Sequence, residues 1–115
     1  MATKNITKCN LTELNKAEFV KYESVTSADT IYLDYTGPDD KLLVLVNGTA
    51  TCKFFKGDAI QGVVDLEQAI STAGAIRLDS GLFKATKTNE TTGLVKGKVK
   101  MTVSANATVG LVQLP

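Results

Sequence analysis

Lys41-Leu42-Leu43-Val44-Leu45-Val46-Asn47-Gly48-Thr49-Ala50-Thr51-Cys52-Lys53-Phe54-Phe55 is the stretch on which the fold turns. Its first half, Lys41 to Val46, has no polar face and is predicted to be a strand buried on both sides. Asn47-Gly48 reads as a two-residue hairpin turn, since both central positions of a type I′ turn need φ > 0. Thr49 to Phe55 is then predicted to return as the partner strand, with Phe54 and Phe55 on opposite faces. One of those two rings is therefore a candidate for the surface.

The pattern spreads in both directions. Upstream, Ile31-Tyr32-Leu33-Asp34-Tyr35 is a strand ended by the turn Thr36-Gly37-Pro38-Asp39-Asp40. Downstream, Lys56-Gly57-Asp58 is a turn, Gly62 breaks the next stretch, and Asp65 to Ile70 is a strand or a loose loop. Ala75 to Leu78 alternates faces and ends at Asp79-Ser80-Gly81. Thr86 to Gly93 reads as an exposed hairpin tip after Leu82-Phe83-Lys84. Leu94 to Val103 and Ala107 to Leu114 read as a closing pair joined through Ser104-Ala105-Asn106. Short strands with turns at this spacing predict an all-β fold, a small antiparallel β-sandwich or Greek-key barrel over residues 30–115. Val44, Leu45, Val46, Ile76, Leu78, Val99, Val103, Val109 and Leu111 are its predicted core. The 15 Thr and 11 Val among 115 residues suit strands, because branching at Cβ packs well on a pleated surface.

Residues 1–29 stand apart as an N-terminal arm, or a first strand or short helix. Helical spacing occurs only over Thr12 to Tyr22. Ile6, Leu11, Leu14, Phe19, Val20 and Tyr22 are too few to fold alone and too many for a solvated tail. Leu11, Leu14, Phe19 and Tyr22 are accordingly candidate partner contacts, buried against a neighbouring subunit or another surface. The alternative is an edge strand or short helix of the same sandwich.

Composition removes much of the enzyme repertoire. There is no His and no Trp, so no Ser-His or Cys-His nucleophile pair and no imidazole metal ligation. No catalytic residue, cofactor or metal is expected. Thirteen basic against twelve acidic residues leave a net charge of +1, without the basic excess of a nucleic-acid binder. The first thirty residues show no apolar core of a secretory leader, and no run approaches a membrane span. Cys9 and Cys52 are then expected as reduced thiols rather than a disulfide.

Smaller motifs are weighed the same way. Asp39-Asp40, and Asp65 with Glu67, could do acid–base work or hold calcium, but solvated turn acids account for them better. Lys96, Lys98 and Lys100 alternate onto one face of the strand they share. They are candidate contacts for phosphates or an acidic surface, with protection of a strand edge as the favoured explanation. Phe55 joins Lys96 and Lys98 as a candidate partner contact, since an exposed Phe among apolar neighbours marks an interface. Asn5, Asn10, Asn47, Asn89 and Asn106 each begin an Asn-x-Thr triplet, read here as turn and strand-start chemistry.

Four segments carry a family likeness: Lys41 to Asn47, Phe55-Lys56-Gly57-Asp58-Ala59-Ile60-Gln61-Gly62 through Glu67, Arg77 to Lys84, and Ala107 to Pro115. Together they resemble small structural proteins encoded in the head gene clusters of tailed bacteriophages and prophages, over about residues 30–115. The resemblance implies a capsid decoration, or head auxiliary, protein. Such a protein is a small β-sandwich that binds the outside of the assembled capsid, stabilises it and is commonly a homotrimer. Its implied partners are the major capsid protein and itself, without nucleic acid or membrane, and its place is the virion after synthesis in the bacterial cytoplasm. The rival expectation, from another class, is a carbohydrate-binding or adhesion module of a phage or bacterial surface structure.

Overall fold

Alternation along each strand sorts side chains onto two faces. In the computed structural model, which describes residues 3–10, 17, 20–34, 42–58, 62–78 and 80–113, this sorting builds ten strands. They are β1 (Thr3–Ile6), β2 (Lys8–Asn10), β3 (Glu23–Val25), β4 (Thr30–Asp34), β5 (Leu42–Asn47), β6 (Ala50–Phe54), β7 (Leu66–Ile70), β8 (Ala73–Arg77), β9 (Lys98–Val103) and β10 (Ala107–Gln113). One helical turn, α1 (Ser80–Phe83), sits between β8 and β9. The strands form two five-stranded sheets. The first runs β1-β4-β9-β6-β7; the second runs β2-β10-β5-β8, with β3 also on β10. The fold is thus all-β, a small β-sandwich, with antiparallel pairing except for β1 on β4 and β2 on β10, which are parallel.

The core lies between the sheets. Ile31 and Leu33 of β4, Cys52 and Phe54 of β6, and Val99 and Met101 of β9 face Val44 and Val46 of β5 and Val109 and Leu111 of β10, all buried. Each large side chain removed from water there contributes about 1.5–3 kcal/mol. Of the predicted core, Ile76 is partly buried against this cluster, and Leu78 and Val103 are inside it. Leu45 is a correction. Strict alternation turns Leu43 and Leu45 to the outer face of the second sheet, where both are half-buried, so β5 does have an outer side.

Two predicted hairpins are overturned. β5 and β6 lie in different sheets, and so do β9 and β10. Asn47 keeps a negative φ; only Gly48, at φ 130°, leaves the ordinary region, so there is no type I′ turn. The physical reason is that two apolar strands joined by a short turn can pair side by side or face each other across a core. Here β5 takes β10 and β8 as neighbours, and β6 takes β7 and β9. β7 and β8 also separate, at Ser71-Thr72.

These three crossings meet at one end and brace one another. Gly48 N donates to Thr72 O at 2.7 Å, and Thr72 N donates to Thr49 Oγ1 at 3.3 Å. Thr51 N donates to Ser104 Oγ at 2.8 Å, and Ser104 N returns to Thr51 O at 3.0 Å. A Cβ on Gly48 would stand 3.1 Å from Asn106 O and 3.2 Å from Ala107 Cα. Thr72 is held at φ 73°, a left-handed conformation that a β-branched residue adopts at a cost of about 1–2 kcal/mol.

Of the forms expected for residues 1–29, the described parts take the strand form. β1 and β2 are nearly continuous and change sheets at Thr7, while β2 and β3 share the edge of β10. Ile6 and Val25 are each 1% exposed within the core, so removing residues 1–29 would remove core side chains and not only a contact.

The braced end yields a paired expectation. Thr72→Gly should raise the unfolding free energy by up to about 1 kcal/mol by relieving the left-handed strain, net of glycine's extra chain entropy. Gly48→Ala should lower it by about 1–3 kcal/mol through strain at φ 130° and crowding against residues 106–107. Urea unfolding at unchanged slope measures both; effects of the same sign would contradict the bracing.

Candidate functional site

The outer face of the first sheet gathers what the sequence singled out and adds to it. Phe54 turns inward and is fully buried, so the next residue must turn outward. Phe55 lies half-buried there, its backbone N donating to Lys100 O at 2.9 Å. Lys53, two residues back on the same face, places Nζ 5.0 Å from the ring centroid, and Lys100 of β9 places Nζ at 4.6 Å. Two ammonium groups thus lie against one ring, each contact worth about 0.5–1 kcal/mol at this exposure.

Lys98 shares that face of β9 and is half-buried, while Lys96 is exposed in the turn that leads into the strand. The edge-guard explanation of these lysines is overturned. β9 is the middle strand of its sheet, between β4 and β6. A charge on a central strand guards no edge. Its side chain is there to meet whatever approaches the face.

The segment between Lys84 and Gly97 folds onto this face. Ala85 N bonds Lys98 O at 3.1 Å, Gly97 N bonds Ala85 O at 2.9 Å, and Asn89 pairs with Leu94 in an isolated bridge. The predicted hairpin tip is therefore pinned down and does not project. Tyr32 of β4 donates its hydroxyl to Gly93 O at 2.7 Å, and Lys100 Nζ donates to Thr92 O at 3.0 Å. Asp58 Oδ1 accepts from both N and Oγ1 of Thr86 at 2.7 Å. Those bonds favour the ionised form and hold its carboxyl below the usual carboxylate range. The stabilisation is complete above the ordinary carboxyl value and is lost as pH falls through the lowered one.

A shallow cleft of about 250 Å³ remains where segment and sheet meet, lined among others by Phe55, Asp58, Asp65, Asn89 and Leu94. Its acceptors are already engaged. Asp65 takes Lys56 N at 2.8 Å and stands 3.8 Å from Lys53 Nζ; Asn89 Oδ1 takes Thr91 N at 2.9 Å in a turn. That use of Asn89 is the turn chemistry expected of its Asn-x-Thr triplet. Asp65 and Glu67 likewise act as strand-entry and surface acids. Among the described residues, no three His, Cys, Asp or Glu side chains are placed to hold a metal ion.

The remaining candidates are not brought together with this face. Tyr22, 43% exposed, lies beside Gly110 on the outer face of the second sheet. Leu11, Leu14 and Phe19 fall outside the described residues, as does the Asp39-Asp40 turn. Cys9 and Cys52 are both free thiols, on β2 and β6; burial pushes the Cys52 thiol up, which keeps it protonated and unreactive.

No family model, curated protein or solved structure matches this chain. The geometry of the face therefore stands by itself.

Lys53 and Lys100 are the members of this site that sequence reasoning left out of its contacts. The signal was present for Lys53, since residues 53 and 55 share a face in any strand. Lys100 needed the pairing of β6 with β9, which no local pattern reveals. If the ring and the two ammoniums interact as the distances indicate, a double-mutant cycle of Phe55→Leu with Lys100→Met should return a coupling of about 0.5–1 kcal/mol in thermal or urea unfolding. A coupling indistinguishable from zero would show that the lysines merely pass over the ring.

Proposed function

We propose that this protein acts by binding, as a capsid decoration protein laid against the outside of an assembled bacteriophage shell, and that the outer face of the first sheet makes the contact. The observation that carries the reading is the lysine-framed Phe55. A flat aromatic held between Lys53 and Lys100, with Lys96 and Lys98 alongside, presents an anchor and a charged rim on a broad sheet surface. Charge distribution supports it. Residues 84–100 hold five lysines against one acid, Glu90, in a chain whose net charge is +1, so the remainder is net acidic. A localised basic segment suits an acidic protein surface. The resemblance of residues 30–115 to head auxiliary proteins supports the same reading, and places the protein in the virion with the major capsid protein as partner.

A carbohydrate-binding role draws on Phe55 as a cleft wall, but the carboxylates and amide beside it are committed to the chain's own donors. The capsid reading asks less of those groups.

The test is co-sedimentation with shells assembled from the major capsid protein encoded in the same head gene cluster. The wild-type chain should pellet with shells, less so at high salt. Lys96→Glu with Lys98→Glu should weaken binding about tenfold or more by setting like charges together, at unchanged melting temperature. Failure of the wild type to pellet would overturn the function; a double variant that binds like wild type would overturn the assigned face.

A further inference from the structure

The second sheet ends on β8, and the direction of its main-chain groups can be read from one bond. β5 and β8 pair as Val46↔Gly74 and Asn47↔Ala73, so Gly48 and Thr72 continue the same register. Gly48 N donates to Thr72 O at 2.7 Å, which makes that a hydrogen-bonded pair. Bonded and non-bonded pairs alternate in an antiparallel ladder. Gly74 and Ile76 therefore bond β5, while Ala73 and Ala75 turn their N–H and C=O groups the other way. Ala73 N is taken up locally by Ser71 O at 2.9 Å. Ala75 keeps both its groups directed outward from the sheet, and Ala73 and Ala75 are exposed.

Natural sheets guard such edges with charges, prolines or bulges. The other outer strands here carry a guard. Lys4 of β1 shares the inward face with buried Ile31, β7 bears Glu67, and β2 and β3 bear Lys8 and Glu23. Ala73-Gly74-Ala75-Ile76 has no charge and no proline. Its small side chains let another strand approach closely.

We infer that β8 is a docking edge for β8 of a second copy, joined antiparallel about a two-fold axis at Ala75. The occupant follows from self-complementarity. Ala75 N–H meets Ala75 C=O of the partner subunit and the reverse, and the same small surface lies on both sides of the axis, as an isologous contact requires. Two second sheets would then continue into one. This inference is independent of the capsid reading, and it gives pairs where the family likeness implied threes.

Light scattering and amide exchange on the full chain test it. The wild type should approach twice 12.2 kDa as concentration rises, and the Ala75 amide, which has no acceptor in its own ladder, should become protected in step with the mass. Ala75→Pro removes only the outward N–H, as proline on an edge permits, so the variant should keep its circular dichroism and dimerise about tenfold or more weakly. A wild type that stays monomeric or forms trimers would overturn the inference. So would a dimer whose Ala75 amide exchanges as freely as an open strand edge, a readout that holds even if the proline variant fails to fold.

Discussion

Three short connections, at Gly48-Thr49, Ser71-Thr72 and Ser104-Ala105-Asn106, must each carry the chain from one sheet to the other, and most of the structure depends on that constraint. Because the turns cross, the strands they join face each other through the core. Val44 and Val46 of β5 and Cys52 and Phe54 of β6 can then be buried by one another's sheets, and every strand must find its hydrogen-bonding neighbours elsewhere in the chain. The threonine and serine hydroxyls at this end do for the crossings what a hairpin ladder does for ordinary turns. They satisfy amides that would otherwise be left over where a sheet stops. A strained Thr72 persists there because its carbonyl and amide are both engaged.

What was legible in the sequence follows from which interactions are local. Alternation is local, so nearly all the predicted core residues and the outward turn of Phe55 were readable, along with the all-β class. Pairing is not local. Asn47-Gly48 carries every mark of a hairpin and serves as a crossing, because the same residue types tolerate both paths and the choice is made by β10 and β8. The lysines of β9 were misassigned for the same reason. Their common face followed from spacing, but whether their strand was central or marginal depended on β4 and β6. Residues 23–25 and 3–10 have modest apolar content of their own and become strands by pairing with β4 and β10.

The candidate contact face inherits these long-range choices. Phe55 and Lys100 are 45 positions apart in sequence and meet because β6 pairs with β9. The segment 84–97 is then held by groups from three places: Tyr32 on β4, Lys100 on β9 and Asp58 after β6. A face assembled this way is rigid enough to bind without much further ordering, which suits a role in adhesion between large assemblies more than one in chemistry. Its lysines stand on a central strand, where the sheet behind them fixes their spacing.

Backbone nuclear Overhauser contacts test the crossing architecture most directly. Cross-strand contacts should connect Val46 with Val109 and Leu111 with Val44, and Cys52 with Val103 and Gln68, following the registers of two separate sheets. A continuous hairpin ladder linking Asn47 to Ala50, Val46 to Thr51 and Leu45 to Cys52 would contradict it.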